Sequence, residues 1–98
     1  MNRFFDKTKT ALTELKSEVT EKYYVETIGL FGSVVRDDFV PEKSDIDIVV
    51  SFSRPVGIEF IDLADFLEKK LNRKIDLVSR SGMKDRFFNA IKDEVVYV

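Results

Sequence analysis

A chain of 98 residues has room for one small domain, and 44% apolar residues, nine Phe among them, supply its core while 35% charged residues supply a solvated surface. Sixteen basic against 18 acidic residues leave a net charge of −2 with no basic block, which argues against general nucleic-acid binding. Without Cys or His there is no disulfide, no zinc–thiolate or imidazole site and no Ser-His-Asp chemistry, so any metal has to be held by oxygen, which points to a hard cation such as Mg²⁺.

Residues 3 to 22 carry Thr8, Leu12, Leu15 and Val19 on one helical stripe, flanked by Phe4, Phe5 and Ala11, and this spacing predicts a helix. Val25 to Phe31 is β-branched and apolar and stops at Gly32, as a short strand does. Ser33 to Arg36 fits one helical turn. Asp37 to Lys43, with Pro41 and its charges, is a loop. Ser44 to Phe52 alternates: Asp45, Asp47 and Ser51 on one side, Ile46, Ile48, Val50 and Phe52 on the other. Arg54, Pro55 and Gly57 punctuate a turn. Ile58 to Leu71 follows a helical period with Phe60, Ile61, Ala64, Leu67 and Leu71 on its apolar side. Lys74 to Ser79 is a third strand. Ser81 and Gly82 open a last helix in which Phe87, Phe88, Ile91 and Val95 share a face, and Val95 to Val98 is a short terminal strand. The pattern implies one α/β (α+β) domain over 1–98, a small mixed sheet covered by helices. No signal peptide or spanning segment is visible, so the expected location is the cytoplasm, away from membranes.

Two carboxylates in the apolar run around Ile46 need an explanation, because a buried ionised carboxylate is costly unless paired, hydrogen-bonded or metal-bound. Residues i and i+2 of a strand share a face, which puts Asp45 and Asp47 together, about 7 Å apart at Cα. A divalent cation offsets their repulsion, and Asp76 in the run Lys-Ile-Asp-Leu-Val offers a third oxygen ligand if the two strands are neighbours. Taken alone, Asp-x-Asp also fits the solvated end of a strand or a salt-bridged pair. It is not an EF-hand loop, whose glycine and closing glutamate are missing. Gly32 permits close backbone approach, and Ser33 adds a hydroxyl to the amides of a helical start, where phosphate oxygens bind. Arg36 can reach the same anion. Gly-Ser is also a common turn and helix cap, and no P-loop lysine follows it. Together, an anion-binding turn before a carboxylate pair suits a metal-bridged polyphosphate.

Leu30-Phe31-Gly32-Ser33, Arg36, and Ser44-Asp45-Ile46-Asp47 resemble the signature of the nucleotidyltransferase superfamily related to DNA polymerase β. The short chain is most similar to the minimal nucleotidyltransferases, antitoxin-like partners of helical HEPN proteins. Lys74 to Val78 matches the strand with the family's third carboxylate, and Glu94 to Val98 matches the family's ending. The resemblance implies a nucleotidyltransferase fold, Asp45, Asp47 and Asp76 as catalytic residues holding Mg²⁺ (or Mn²⁺), and Gly32, Ser33, Arg36 and Ser44 at the triphosphate of ATP. It implies AMP transfer to a tyrosine of a HEPN toxin, with which the chain would form an oligomer. Two departures stand out: eleven residues separate Ser33 from Asp45, one more than is usual, and Asp37 replaces the glycine that commonly follows the arginine. Both fall in the loop between the motifs.

The competing class is a binding module that neutralises a partner by covering its active site, with weak or no chemistry. Retention of all three carboxylates argues against it. Nucleic-acid polymerisation or tRNA modification ranks last, because a basic groove is lacking.

Overall fold

The computed structural model describes residues 3–98, so the first two positions of the expected 1–98 domain lie outside the described residues. The elements are α1 (Arg3–Tyr23), β1 (Val25–Phe31), a 3-10 turn (Gly32–Val34), β2 (Ile46–Phe52), α2 (Ile58–Leu71), β3 (Ile75–Ser79), α3 (Asp85–Ile91) and β4 (Val96–Tyr97). The sheet runs β3-β2-β1-β4. β1 pairs antiparallel with β2 and with β4, and β2 pairs parallel with β3. The parallel pair needs a crossover, which α2 provides. This is the mixed α+β sheet the alternation pattern implied.

The core lies on one face of the sheet, under α1 and α2. Ile46, Ile48 and Val50 of β2 are completely buried there, opposite Ile75, Leu30 and Ile28. From α1 come Phe5, Leu12 and Val19, with Thr8 as the one polar residue buried in that stripe. Each of these large side chains contributes roughly 1.5–3 kcal/mol by leaving water. The Tyr23 and Phe66 rings, 5.4 Å apart, join α1 to α2.

Three expectations change. α2 turns its Leu63–Leu67 edge to the core, and Ile61 is 57% exposed. Ile61 sits two residues from Leu63, about 200° around the helix, so the two cannot share a buried stripe. The last helix begins at Asp85 rather than Ser81, because Gly82 is tied back by its N–H to Ser79 Oγ at 3.0 Å. None of its residues is buried, Phe87 is half exposed, and Val95 lies beyond its end. Finally, β2 begins at Ile46, leaving Ser44 and Asp45 in the preceding loop.

That loop is pinned at both ends. Phe39 stacks near Phe4 of α1, with ring centroids 5.2 Å apart, and the Arg73 guanidinium lies over both rings and donates to the Pro41 carbonyl. Ser44 N–H reaches the Val40 carbonyl at 2.7 Å, and Val40 N–H reaches Ser44 Oγ at 3.0 Å. Ile46 N–H then takes Lys74 O at 3.2 Å and starts the parallel pair. The loop therefore delivers Asp45 to the edge of β2 in a fixed place. Among the described residues, no helix is long and apolar enough to cross a membrane.

Candidate active site

The face of the sheet opposite the core carries the candidate site. Asp47 stands between Phe31 of β1 and Asp76 of β3, its direct partners across the two strand pairs. The expected neighbourhood of β2 and β3 is therefore present, and two carboxylates oppose each other across it. Asp47 is half-buried and Asp76 is exposed. Further along, Val49 is buried beside Gly29, above which Val95 and the Tyr97 ring lie so close that a Cβ would meet them at 2.7 and 3.1 Å. Ser51 and Thr27 close that row with a 2.5 Å hydroxyl hydrogen bond.

Gly32 has φ +75°, in the left-handed region that favours glycine. A Cβ there would collide with the Asp47 carboxylate. The close approach that the sequence assigned to a ligand is made in the free protein by Asp47 itself. The turn that follows is held by Val35 and Arg36 N–H groups, both on the Gly32 carbonyl at 3.1 Å. Ser33 is half-buried in this turn.

The charges are unbalanced. Burial, then the negative charge of Asp76, then that of Asp45, push the Asp47 carboxyl from its usual 3.8 up to about 6. The Arg36 guanidinium pulls the other way, and Glu94 adds to the rise. Such an excess of negative charge on hard oxygen donors fits a divalent cation. Among the described residues, no three acidic side chains are already gathered into a cage for one.

Arg36 pairs with both Glu94 oxygens at 3.2 Å and, through Nε, with Asp38 at 3.4 Å. Glu94 also accepts the Gly32 N–H at 2.8 Å. The site thus contains a residue to which sequence reasoning gave no role. Asp37, which departs from the usual glycine, is exposed. Ser44 directs its hydroxyl to the Val40 amide and closes the loop. A cavity of about 800 Å³ lies at the far end of β2 and β3, lined by Ser51, Arg54, Phe60, Ser79 and Arg80, away from the carboxylates.

The α+β sheet thus carries opposed carboxylates on its open face, beside a glycine turn and an arginine. The comparisons with known proteins narrow the class. Residues 12–98 match the nucleotidyltransferase domain family. The chain is 41% identical over 91 residues to the protein adenylyltransferase MntA of Thermococcus cleftensis, covering 92% of this chain and 91% of that one. It is 38% identical over 92 residues to a "Putative protein adenylyltransferase" of Methanocaldococcus jannaschii, covering 92% and 93%. A solved structure, "Structure of putative minimal nucleotidyltransferase", has the same fold, with a TM-score of 0.74 over 91% of this chain and 93% of that one at 24% identity. The chain belongs to the nucleotidyltransferase domain family and is an enzyme of that class.

Proposed function

We propose that this chain is a single minimal unit that transfers AMP from ATP to a hydroxyl, a tyrosine in the first instance, on a HEPN-type helical partner in the cytoplasm, and so acts as its antitoxin. The observation that carries the reading is the opposed pair Asp47 and Asp76, with uncompensated charge, beside the Gly32 turn. The relatives named protein adenylyltransferases support a protein as acceptor.

Asp45, Asp47 and Asp76 are the residues that would hold Mg²⁺ or Mn²⁺, and their oxygens suit either. When bound, the cation supplies charge neutralisation for the polyphosphate and the departing pyrophosphate. Ser33 and Arg36 supply hydroxyl and guanidinium donors to the triphosphate, Gly32 lets the turn approach it closely, and Ser44 fixes the loop that delivers Asp45. The partner hydroxyl oxygen attacks the α-phosphorus. A new O–P bond forms and the bond from the α-phosphorus to the bridging oxygen breaks, so that pyrophosphate leaves toward Gly32, Ser33 and Arg36. Asp76, exposed and with no histidine to compete, takes the hydroxyl proton. The protein contributes positioning and charge placement and forms no covalent bond to the nucleotide.

The test mixes the protein with Mg-ATP and the product of its neighbouring gene, and weighs both by intact mass spectrometry. The expected result is one or more AMP groups on the partner and none when Asp47→Asn replaces the native chain. A tight complex whose partner remains unmodified would instead establish the binding-module reading.

A further inference from the structure

The C-terminal strand reaches the site through one side chain. β4 pairs antiparallel with β1 at Gly29↔Tyr97 and Leu30↔Val96, and Val98 N–H donates to the Ile28 carbonyl at 3.0 Å. Counting on in the same register sets Glu94 opposite Gly32, at a position where strand partners exchange backbone hydrogen bonds. The backbone of Glu94 is not available for that exchange in the usual way, because it turns out of α3 with its N–H on the Ile91 carbonyl at 2.9 Å. The Glu94 side chain takes over: Oε1 accepts the Gly32 N–H at 2.8 Å, and both oxygens receive Arg36 Nη1 at 3.2 Å. One carboxylate therefore holds the first amide of the turn and the arginine at its end.

We propose that Glu94 is a positioning residue for the nucleotide site, a clamp through which β4 fixes the Gly32–Arg36 turn in the shape that receives the triphosphate. This rests on the reading of the Gly32–Arg36 turn as the triphosphate site. The clamp is preorganisation: a turn already held in one geometry loses less freedom when the anion arrives. Gly32 needs it more than most residues, because a glycine at positive φ has no side chain to restrict it. Glu94 also compensates the Arg36 charge before nucleotide arrives. The opposite assignment, Glu94 as an occupant that the triphosphate must displace, predicts effects of opposite sign.

The experiment compares the native chain with Glu94→Gln, Glu94→Ala and, as a neighbouring control, Asp93→Ala. Three quantities are read: the exchange rate of the Gly32 amide by NMR, the dissociation constant for Mg-ATP, and the melting temperature. Glu94→Gln keeps an oxygen for the Gly32 N–H and loses the charge facing Arg36. Its Gly32 amide should exchange at nearly the native rate, and its Mg-ATP binding should weaken several-fold. Glu94→Ala loses both contacts, so Gly32 exchange should quicken and Mg-ATP binding should weaken, each by about tenfold or more, as for a hydrogen bond to a charged group. Asp93→Ala should match the native chain throughout. Tighter Mg-ATP binding in either Glu94 variant overturns the proposal, as does native-like Gly32 protection in Glu94→Ala. If Glu94→Ala does not fold, the Glu94→Gln pair of readings decides alone. A native chain that binds no Mg-ATP contradicts the nucleotidyl-transfer reading instead, and Gly32 exchange still reports whether Glu94 holds the turn.

Discussion

Ile46, Ile48 and Val50 point from β2 into the helices and are completely buried, whereas Asp47 and Ser51, interleaved with them, point to the open face. The first set stabilises the fold by roughly 1.5–3 kcal/mol per side chain. Asp47 works against the fold, since its carboxyl is pushed up to about 6 by burial and by its acidic neighbours. Stability and chemistry are thus separated by the two-residue period of one strand. A register slip of one residue would bury the carboxylates and expose the isoleucines, so the covered face also fixes the placement of the reactive one. The difference teaches that substitutions on the two faces should fail in different ways.

The largest contrast is expected from Asp76→Asn. Loss of the proposed proton acceptor should lower the transfer rate roughly 10²–10⁴-fold. The metal-free protein should melt at the native temperature or above it, because one repelling charge is gone. A clear drop in melting temperature in EDTA would place Asp76 among the residues that hold the fold together, and erase the distinction between the faces there.

On the covered side, Leu63→Ala should cost about 2–5 kcal/mol in urea unfolding, with the rate per folded molecule unchanged. Ile61→Ala, on the same helix, should change stability by no more than about 0.5 kcal/mol. Equal losses for the two would mean that α2 is rotated from the orientation described. Ser33→Ala should weaken Mg-ATP binding by about 1–3 kcal/mol, read by calorimetry, with little change in melting temperature. Unchanged affinity would reduce Ser33 to a turn residue.

The dependence on pH is a smaller effect than the loss of Leu63. Asp47 binds its proton more tightly in the folded chain than in the unfolded one, so its contribution favours the fold at low pH and is lost as pH rises from about 4 through about 6. After allowance for solvent screening the loss is on the order of 1–2 kcal/mol. Denaturant titrations of native and Asp47→Asn proteins in EDTA should converge near the bottom of that window and separate above it, with the variant the more stable. Parallel curves would show that Asp47 carries no such penalty.

Much of this was readable locally. Alternation in Ile46 to Val50 and the glycine before Ser33 depend only on residues near one another, and the strand period fixed the faces before any contact was known. The apolar stripe of α1 was readable for the same reason, being bordered by charges. α2 was harder. Phe60, Ile61, Leu63, Ala64, Phe66 and Leu67 are apolar around much of the helix, so two rotations satisfy the pattern and only the packing chooses Leu63. The phenylalanines near 87 misled because helical spacing says nothing about whether a matching surface exists. Glu94 was the least accessible, since its place depends on the pairing of β1 with β4, and it meets Gly32 across 62 residues of chain. The signal that could have found it is the registration of a closing strand that begins two residues after an acidic side chain.

The central claim is that the charge on Asp47 burdens the free fold and serves the nucleotide complex. Melting curves of the native protein and Asp47→Asn, with EDTA and with Mg-ATP, test it at about pH 8, where the native carboxyl is ionised. The account predicts a crossing: the variant melts higher in EDTA, and the native chain melts higher with Mg-ATP, because only it gains full stabilisation from binding. A variant that melts lower in EDTA, or the same rise with Mg-ATP in both proteins, would contradict it.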